Sequence, residues 1–282
     1  SRSYASVNFL PMQTMTSSAL ILLPTALDPD SDPEQSLPGP VLAQLRSLTH
    51  FVVEDAKSAR AWLKRCAWPQ PLPQALMQVW NEHTAQVTAQ SDAVIKQVLD
   101  WLEAGHSVGL LSEAGLPAIA DPGQALIAAV HAAGYAVRPL VGPSSIMLAL
   151  MASGLNGQHF EFKGYLPAAS DAREASLRSL EHSSRQDGRS IIFIETPYRN
   201  DAMMASLRAV LSDETWMCVA SALGSPKERI YAKTIAQWKQ FAWSPGRDPA
   251  VFILACNKAR ESRLTKAVGG RHDLKAHRRK HF

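Results

Sequence analysis

The sequence predicts an α/β protein of two layered domains. Three observations carry this. Short apolar runs alternate with helical stretches along most of the chain. The runs end in polar or turn-forming residues, the pattern of buried strands in a largely parallel sheet. The 282 residues are 46% hydrophobic and only 19% charged, enough chain and enough apolar surface for two cores. The expected boundaries are a leader at 1–18, a first domain at 19–157, a second at 158–257 and a basic tail at 258–282.

Ala19–Leu23 is the first strand, closed by Pro24. The Asp- and Pro-rich stretch to Pro40 reads as a long loop, and long loops are commonly functional or disordered. Val41, Leu42, Leu45 and Leu48 lie at helical spacing. His50 to Val53 is a second strand, ending in Glu54-Asp55, and Lys57 to Cys66 is a helix. Three prolines between Trp68 and Pro73 break the chain before a short strand at Leu76–Trp80, which ends near Glu82-His83. Ser91 is the expected N-cap of a helix that Gly105 stops.

Val108–Gly123, VGLLSEAGLPAIADPG, is the stretch around which the rest is organised. A buried strand ends in a hydroxyl, a carboxylate and small residues, where ligands sit in open α/β sheets. An ordinary strand-to-helix connection gives the same pattern. Gln124 to Ala133 is helical, Ala136 to Val141 is a strand, and Gly142-Pro143-Ser144-Ser145 turns into a helix. The N–H groups of that turn suit a carboxylate, and Ser144 equally suits a plain cap. The domain boundary is expected at Asn156–His159. The second half continues with helices at Arg173–Ser184, Asp201–Ser212 and Thr234–Phe241, and strands at Ser190–Ile194, Thr215–Ala220 and Ala250–Ala255.

Cys66, Cys218 and Cys256 are few, odd in number and far apart, which predicts a reduced, cytoplasmic protein with neither disulfides nor a metal cluster. Residues 258–282 hold nine Lys/Arg against two acidic residues, while the other 257 are slightly acidic. The tail reads as a solvated terminus or a phosphate contact. No apolar run reaches the length of a membrane span, and Ser1 to Thr16 lacks the order of a signal peptide. Met12 and Met15 are candidate starts.

Ser112–Gly123, SEAGLPAIADPG, resembles the S-D-A-G-T-P-L-I-S-D-P-G signature of the ribosomal RNA small-subunit methyltransferase I group, within the tetrapyrrole-methylase superfamily. Eight of twelve positions agree. Glu54-Asp55-Ala56-Lys57 resembles the family's E-D-T-R, and Glu82-His83-Thr84 its E-H-N. Gly142–Ser145 resembles its P-G-A-S-A turn, and Glu195–Arg199 its E-S-P-H-R. The chain departs from the family where Ala26–Asp30 replaces G-N-L-G-D and where Ser221–Ser225 replaces R-E-x-T-K.

The resemblance implies two α/β domains of the tetrapyrrole-methylase type with S-adenosylmethionine in a cleft between them. It also implies a homodimer, and methylation of a cytidine 2′-hydroxyl in small-subunit ribosomal RNA. Carried over, the cofactor contacts are Pro24, Glu113, Ala114, Gly115, Leu116, Ser144, Ser145, Ile146 and Ala220. A hydroxyl acceptor benefits from a base, and Glu54, His83 and Glu195 stand at predicted strand ends for that role. Lys57 and Arg199 are candidate phosphate contacts, and Trp62, Trp68 and Trp80 are either core or base-stacking residues. Two other readings stay open: methylation of a tetrapyrrole or other small molecule, and a cofactor-binding protein without catalysis.

Overall fold

The computed structural model describes residues 18–256. Nearly all of the expected leader, and the whole basic tail, lie outside the described residues. The chain forms two compact units that divide between Pro143 and Ser144.

The first unit is a parallel sheet in the order β3-β2-β4-β1-β5. Its strands are β1 (Ala19–Leu23), β2 (His50–Val53), β3 (Leu76–Val79), β4 (Val108–Leu111) and β5 (Ala136–Pro139). Side chains alternate across it, so both faces must be covered. Ile21, Leu23, Phe51, Val53 and Leu111 pack with α2 (Gly39–Ser47) and α3 (Ala56–Arg65). Leu20, Val52, Val108 and Leu110 pack with α5 (Thr88–Glu103) and α6 (Gln124–Ala132). Gly109 sits mid-strand because a Cβ there would come within 2.6 Å of Leu23 Cδ1.

The connections matter for the site. β1 leads towards β2 and β4 leads towards β5, so these two neighbours send their chains in opposite directions. Such a switch point leaves space outside the carboxyl ends of the strands.

The second unit is a mixed sheet in the order β6-β7-β10-β8-β9. It comprises β6 (Phe160–Tyr165), β7 (Ser190–Glu195), β8 (Trp216–Ser221), β9 (Arg229–Thr234) and β10 (Ala250–Ala255). β10 runs antiparallel to both β7 and β8. The helices α8 (Ser170–Asp187), α9 (Asn200–Val210) and α10 (Ile235–Gln240) share one core with Phe193, Val219 and Phe252.

Four expectations are corrected. The division falls at Pro143, not at Asn156–His159, because α7 (Ser145–Ser153) packs on β8, β9 and β10 through Ile146, Ala149 and Leu150. The Thr25–Pro40 stretch contains a short helix, α1 (Pro33–Ser36), whose first turn Asp32 caps. Ser91 is inside α5 rather than at its cap, and its hydroxyl donates to the Thr88 carbonyl at 2.9 Å. The chain just before it, expected to be the end of a strand, is the helix α4 (Glu82–Gln86), capped by Asn81.

Candidate functional site

The first unit gathers acidic side chains at the carboxyl ends of three adjacent strands. Glu54 follows β2, Glu82 opens α4 after β3, and Glu113 follows β4. Beside them lies a cavity of about 170 Å³ on the α3 side of the sheet. Thr25 and Ala26 after β1, Glu54, Ser112 and Glu113 line it, with Ser58, Trp62 and Arg65 from α3. Glu113 accepts the Ser58 hydroxyl at 2.6 Å, which ties the β4 loop to α3. The loop after β1 is tied to the same helix by Arg65, whose guanidinium donates to the Ser31 carbonyl.

The loop after β4 turns back on itself. Gly115, Ala118 and Ala120 all have left-handed φ values, +77°, +64° and +61°. Alanine in this region is strained, by about 1 kcal/mol or more per residue. Trp80 holds the return, its Nε1 donating to the Pro122 carbonyl at 2.6 Å. The returning chain brings Asp121 near Glu54. Glu54 is half-buried. Burial first, then the neighbouring Asp121 carboxyl, push the Glu54 carboxyl up to about 8. Burial also raises Asp121, with its contacts to Glu54 and the Ser112 hydroxyl working against it.

The other candidate residues separate by environment. His83 is exposed on α4. Asp55 caps α3, accepting from the Lys57 and Ser58 backbone, and Lys57 is exposed. Pro24 is buried, Glu113 and Ala114 are exposed, and Leu116 is half-buried. Gly115 is buried and exchanges both backbone hydrogen bonds with Thr25.

In the second unit Ser144 caps α7, its hydroxyl accepting from Met147 N at 3.3 Å. Ser145 begins that helix, and Ile146 is buried on it. Ala220 is buried within β8, opposite Val251 and Ile230. Glu195 is buried at the end of β7, where its Oε1 takes Arg199 Nε at 2.8 Å and Nη2 at 2.6 Å. Arg199 also lies 5.8 Å from the ring of the exposed Tyr198. Trp62, Trp68 and Trp80 are all buried, with the last two bonding backbone carbonyls, so they serve as core. Asp121, Ser58 and Arg65 stand at the site without being among the expected site residues. Asp121 did carry a signal, as the matching Asp of the family's D-P-G.

Comparison with known proteins follows the same outline. The family model described as Tetrapyrrole (Corrin/Porphyrin) Methylases matches residues 41–239. The chain belongs to the tetrapyrrole methylase family. A ribosomal RNA small subunit methyltransferase I from Xylella fastidiosa (strain Temecula1) is 30% identical over 228 residues, 80% of this chain and 78% of that protein. One of the same name from Vibrio cholerae is 36% identical over 157 residues, 56% of this chain and 51% of its own length. Among solved structures, a diphthine synthase aligns with a TM-score of 0.58 at 13% identity, covering 84% of this chain and 90% of that one. The methyltransferase CobJ aligns with a TM-score of 0.53 at 18% identity, covering 84% and 94%. These two likenesses concern the fold.

This tetrapyrrole methylase is therefore an enzyme, a methyltransferase that uses S-adenosylmethionine. The residues after β4 fit a nucleoside of that kind chemically. An exposed carboxylate, Glu113, suits ribose hydroxyls, and Ala114 and Gly115 present almost no side chain. Among the described residues no group of His, Cys, Asp and Glu is arranged to hold a metal ion, and no helix is long and apolar enough to cross a membrane.

Proposed function

We propose that this methylase methylates a ribose hydroxyl of small-subunit ribosomal RNA. The observation that carries the reading is the half-buried Glu54 on the wall of the cavity at the carboxyl ends of the strands. The match to the Xylella fastidiosa enzyme over most of both chains supports the substrate. The cofactor supplies an electrophilic methyl group on a sulfonium. Glu113 to Leu116 hold it, with Glu113 on the ribose. The chain's own task is then to position the acceptor and take its proton. A hydroxyl is a weak nucleophile at neutral pH, and Glu54 is the base within the cavity. Glu54 takes the hydroxyl proton, which leaves the acceptor oxygen its electron pair and makes it the nucleophile. His83 and Lys57, both exposed, stand on the RNA side and contact phosphate. Arg199, braced by Glu195, is a further candidate for phosphate. The enzyme works as a homodimer in the cytoplasm, which light scattering on the purified chain tests for the dimer.

A second reading, a small-molecule acceptor, draws on one observation. Glu54, Glu82, Glu113 and Asp121 concentrate negative charge at the site, which opposes an RNA backbone. Calorimetry with S-adenosylmethionine, then labelled-methyl transfer to 30S subunits and to a metabolite extract, separates the readings. Label in 30S RNA is expected. Label only in the extract favours the second reading. Cofactor binding without transfer to either sinks both.

A further inference from the structure

The cavity beside the strand ends carries both signs of charge. Glu54 and Glu113 line it, and Arg65 is the one cation among its lining residues. A guanidinium close to carboxylates ordinarily pairs with them. Arg65 forms no ion pair among the described residues.

Its position explains why. Ser58, Trp62 and Arg65 line the cavity from one face of α3, at helical spacing. Ser58 donates to Glu113 at 2.6 Å, and Glu54 directly precedes the Asp55 cap, so both carboxylates belong to the start of the helix. Arg65 stands two turns beyond Ser58, about 10 Å along the axis. Its guanidinium lies 6.0 Å from the centre of the Trp62 ring, and one N–H donates to the Ser31 carbonyl. Ring and carbonyl hold the group without neutralising it. Acidic residues of the loop around Ser31 are engaged elsewhere. Asp28 accepts the Asp30 N–H, Asp32 accepts the Glu34 N–H, and Glu34 pairs with Arg46. A guanidinium has five N–H donors, so several are left for a ligand. Attraction to the helix C-terminus accounts for a cation in the last turn, and the exposed Lys64 meets that need. It does not account for a cation on the cavity wall.

We infer that Arg65 binds a phosphate group of the acceptor nucleotide, at the far end of the cavity from Glu54. The inference rests on the reading of the chain as an RNA methylase with Glu54 as the base.

The two ends then match one nucleotide. The carboxylate end takes the proton of a ribose hydroxyl. The guanidinium takes two phosphate oxygens through its planar fork. Hydroxyl and phosphate hang on one sugar, so a nucleotide gripped at Arg65 has its ribose placed for Glu54. The carboxylates repel phosphate from their own end, which fixes the direction in which the nucleotide lies.

The test measures methyl transfer to 30S subunits across a range of salt, for wild type, Arg65→Gln and Arg65→Lys. Glutamine still has an N–H for the Ser31 carbonyl but carries no charge. Arg65→Gln is expected to raise KM about tenfold. The slope of log KM against log salt should fall by about one, which loss of a merely structural contact does not produce. Arg65→Lys should keep the slope and show a smaller rise in KM, because an ammonium offers charge without the fork. Inhibition by cytidine and by its 3′- and 5′-monophosphates gives a second readout. Wild type should prefer a monophosphate several-fold, and Arg65→Gln should not. If Arg65→Gln folds poorly, the same preference in wild type and Arg65→Lys decides. Label in 30S RNA with an unmoved slope, or with no preference for a monophosphate, overturns the inference alone. So does weaker S-adenosylmethionine binding by Arg65→Gln with the slope intact, which puts the cofactor's carboxylate at Arg65. Wild type that labels no 30S RNA sinks the preceding reading, and the inference falls with it.

Discussion

Thr25 and Gly115 bond each other twice through their backbones, at 2.9 and 3.2 Å, across the carboxyl ends of β1 and β4. These are the neighbouring strands whose connections leave in opposite directions. The two bonds tie the loop after β1 to the loop after β4. The cavity lined by Thr25, Glu54 and Glu113 lies beside them.

Gly115 makes that bridge with φ +77°, and a Cβ there would come to 3.2 Å from Leu27 Cδ2 and 3.3 Å from the Pro143 carbonyl. Gly115→Ala is expected to lower unfolding free energy by about 1–2 kcal/mol. Urea denaturation measures it. An unchanged midpoint means that the loop relaxes at no cost.

Trp80 holds the returning loop through one hydrogen bond to Pro122. Trp80→Phe keeps most of the ring and loses the donor. The expected cost is about 1 kcal/mol in stability, with faster hydrogen exchange between residues 113 and 123. Equal exchange in both proteins there removes Trp80 from the account of how Asp121 is placed.

Glu113 is the carboxylate assigned to the cofactor ribose. Glu113→Ala is expected to weaken S-adenosylmethionine binding about tenfold, the loss of a hydrogen bond to a charged group. Calorimetry reads it directly. Affinity within twofold of wild type (roughly 0.4 kcal/mol) puts the ribose elsewhere.

Glu195 and Glu54 belong to different environments and should fail differently. Glu195→Ala leaves Arg199 without its buried partner and is expected to cost about 3 kcal/mol in stability. The shape of the rate–pH profile should stay as it was, because Glu195 is assigned no proton. A lost ionisation in the profile, with stability intact, reverses the roles of the two residues.

The pH dependence of stability follows from the raised Glu54 carboxyl. Its ordinary value is 4.5 and its folded value is about 8, so between them the folded chain keeps a proton that the unfolded chain has released. The stabilisation from this group is complete below its ordinary value and is lost as pH rises through about 8. Asp121, also raised, acts in the same direction. Wild type should therefore lose stability between about pH 5 and pH 8.5 relative to Glu54→Gln, which has no proton to lose. Parallel curves for the two proteins show that the carboxyl is not raised.

The alternation of strands and helices was open to reading from residues alone, because each apolar run and each helical face is a local pattern. The runs Ala19–Leu23, Val108–Leu111 and Ala250–Ala255 became strands, and the stretch SEAGLPAIADPG came to stand at a strand end beside a cavity. Local pattern misled at Ser91, where capping chemistry has several solutions, and at Glu82-His83, which open a helix instead of ending a strand. It also misled at the division of the chain. Nothing within α7 says which sheet its apolar face will cover, and the helix went with the second unit.

Residue order by itself determined that the chain is α/β, which residues make its buried strands, and which loop carries the family signature. Those features depend on neighbours a few positions apart. The tertiary structure alone decided that β1 and β4 are adjacent, that Ser58 reaches Glu113, and that Asp121 returns to Glu54. Each of these joins residues far apart in the chain, or turns on left-handed backbone at two alanines whose identity does not announce it. Proton affinity arises from such long-range contact, so it could be read only once the chain had folded.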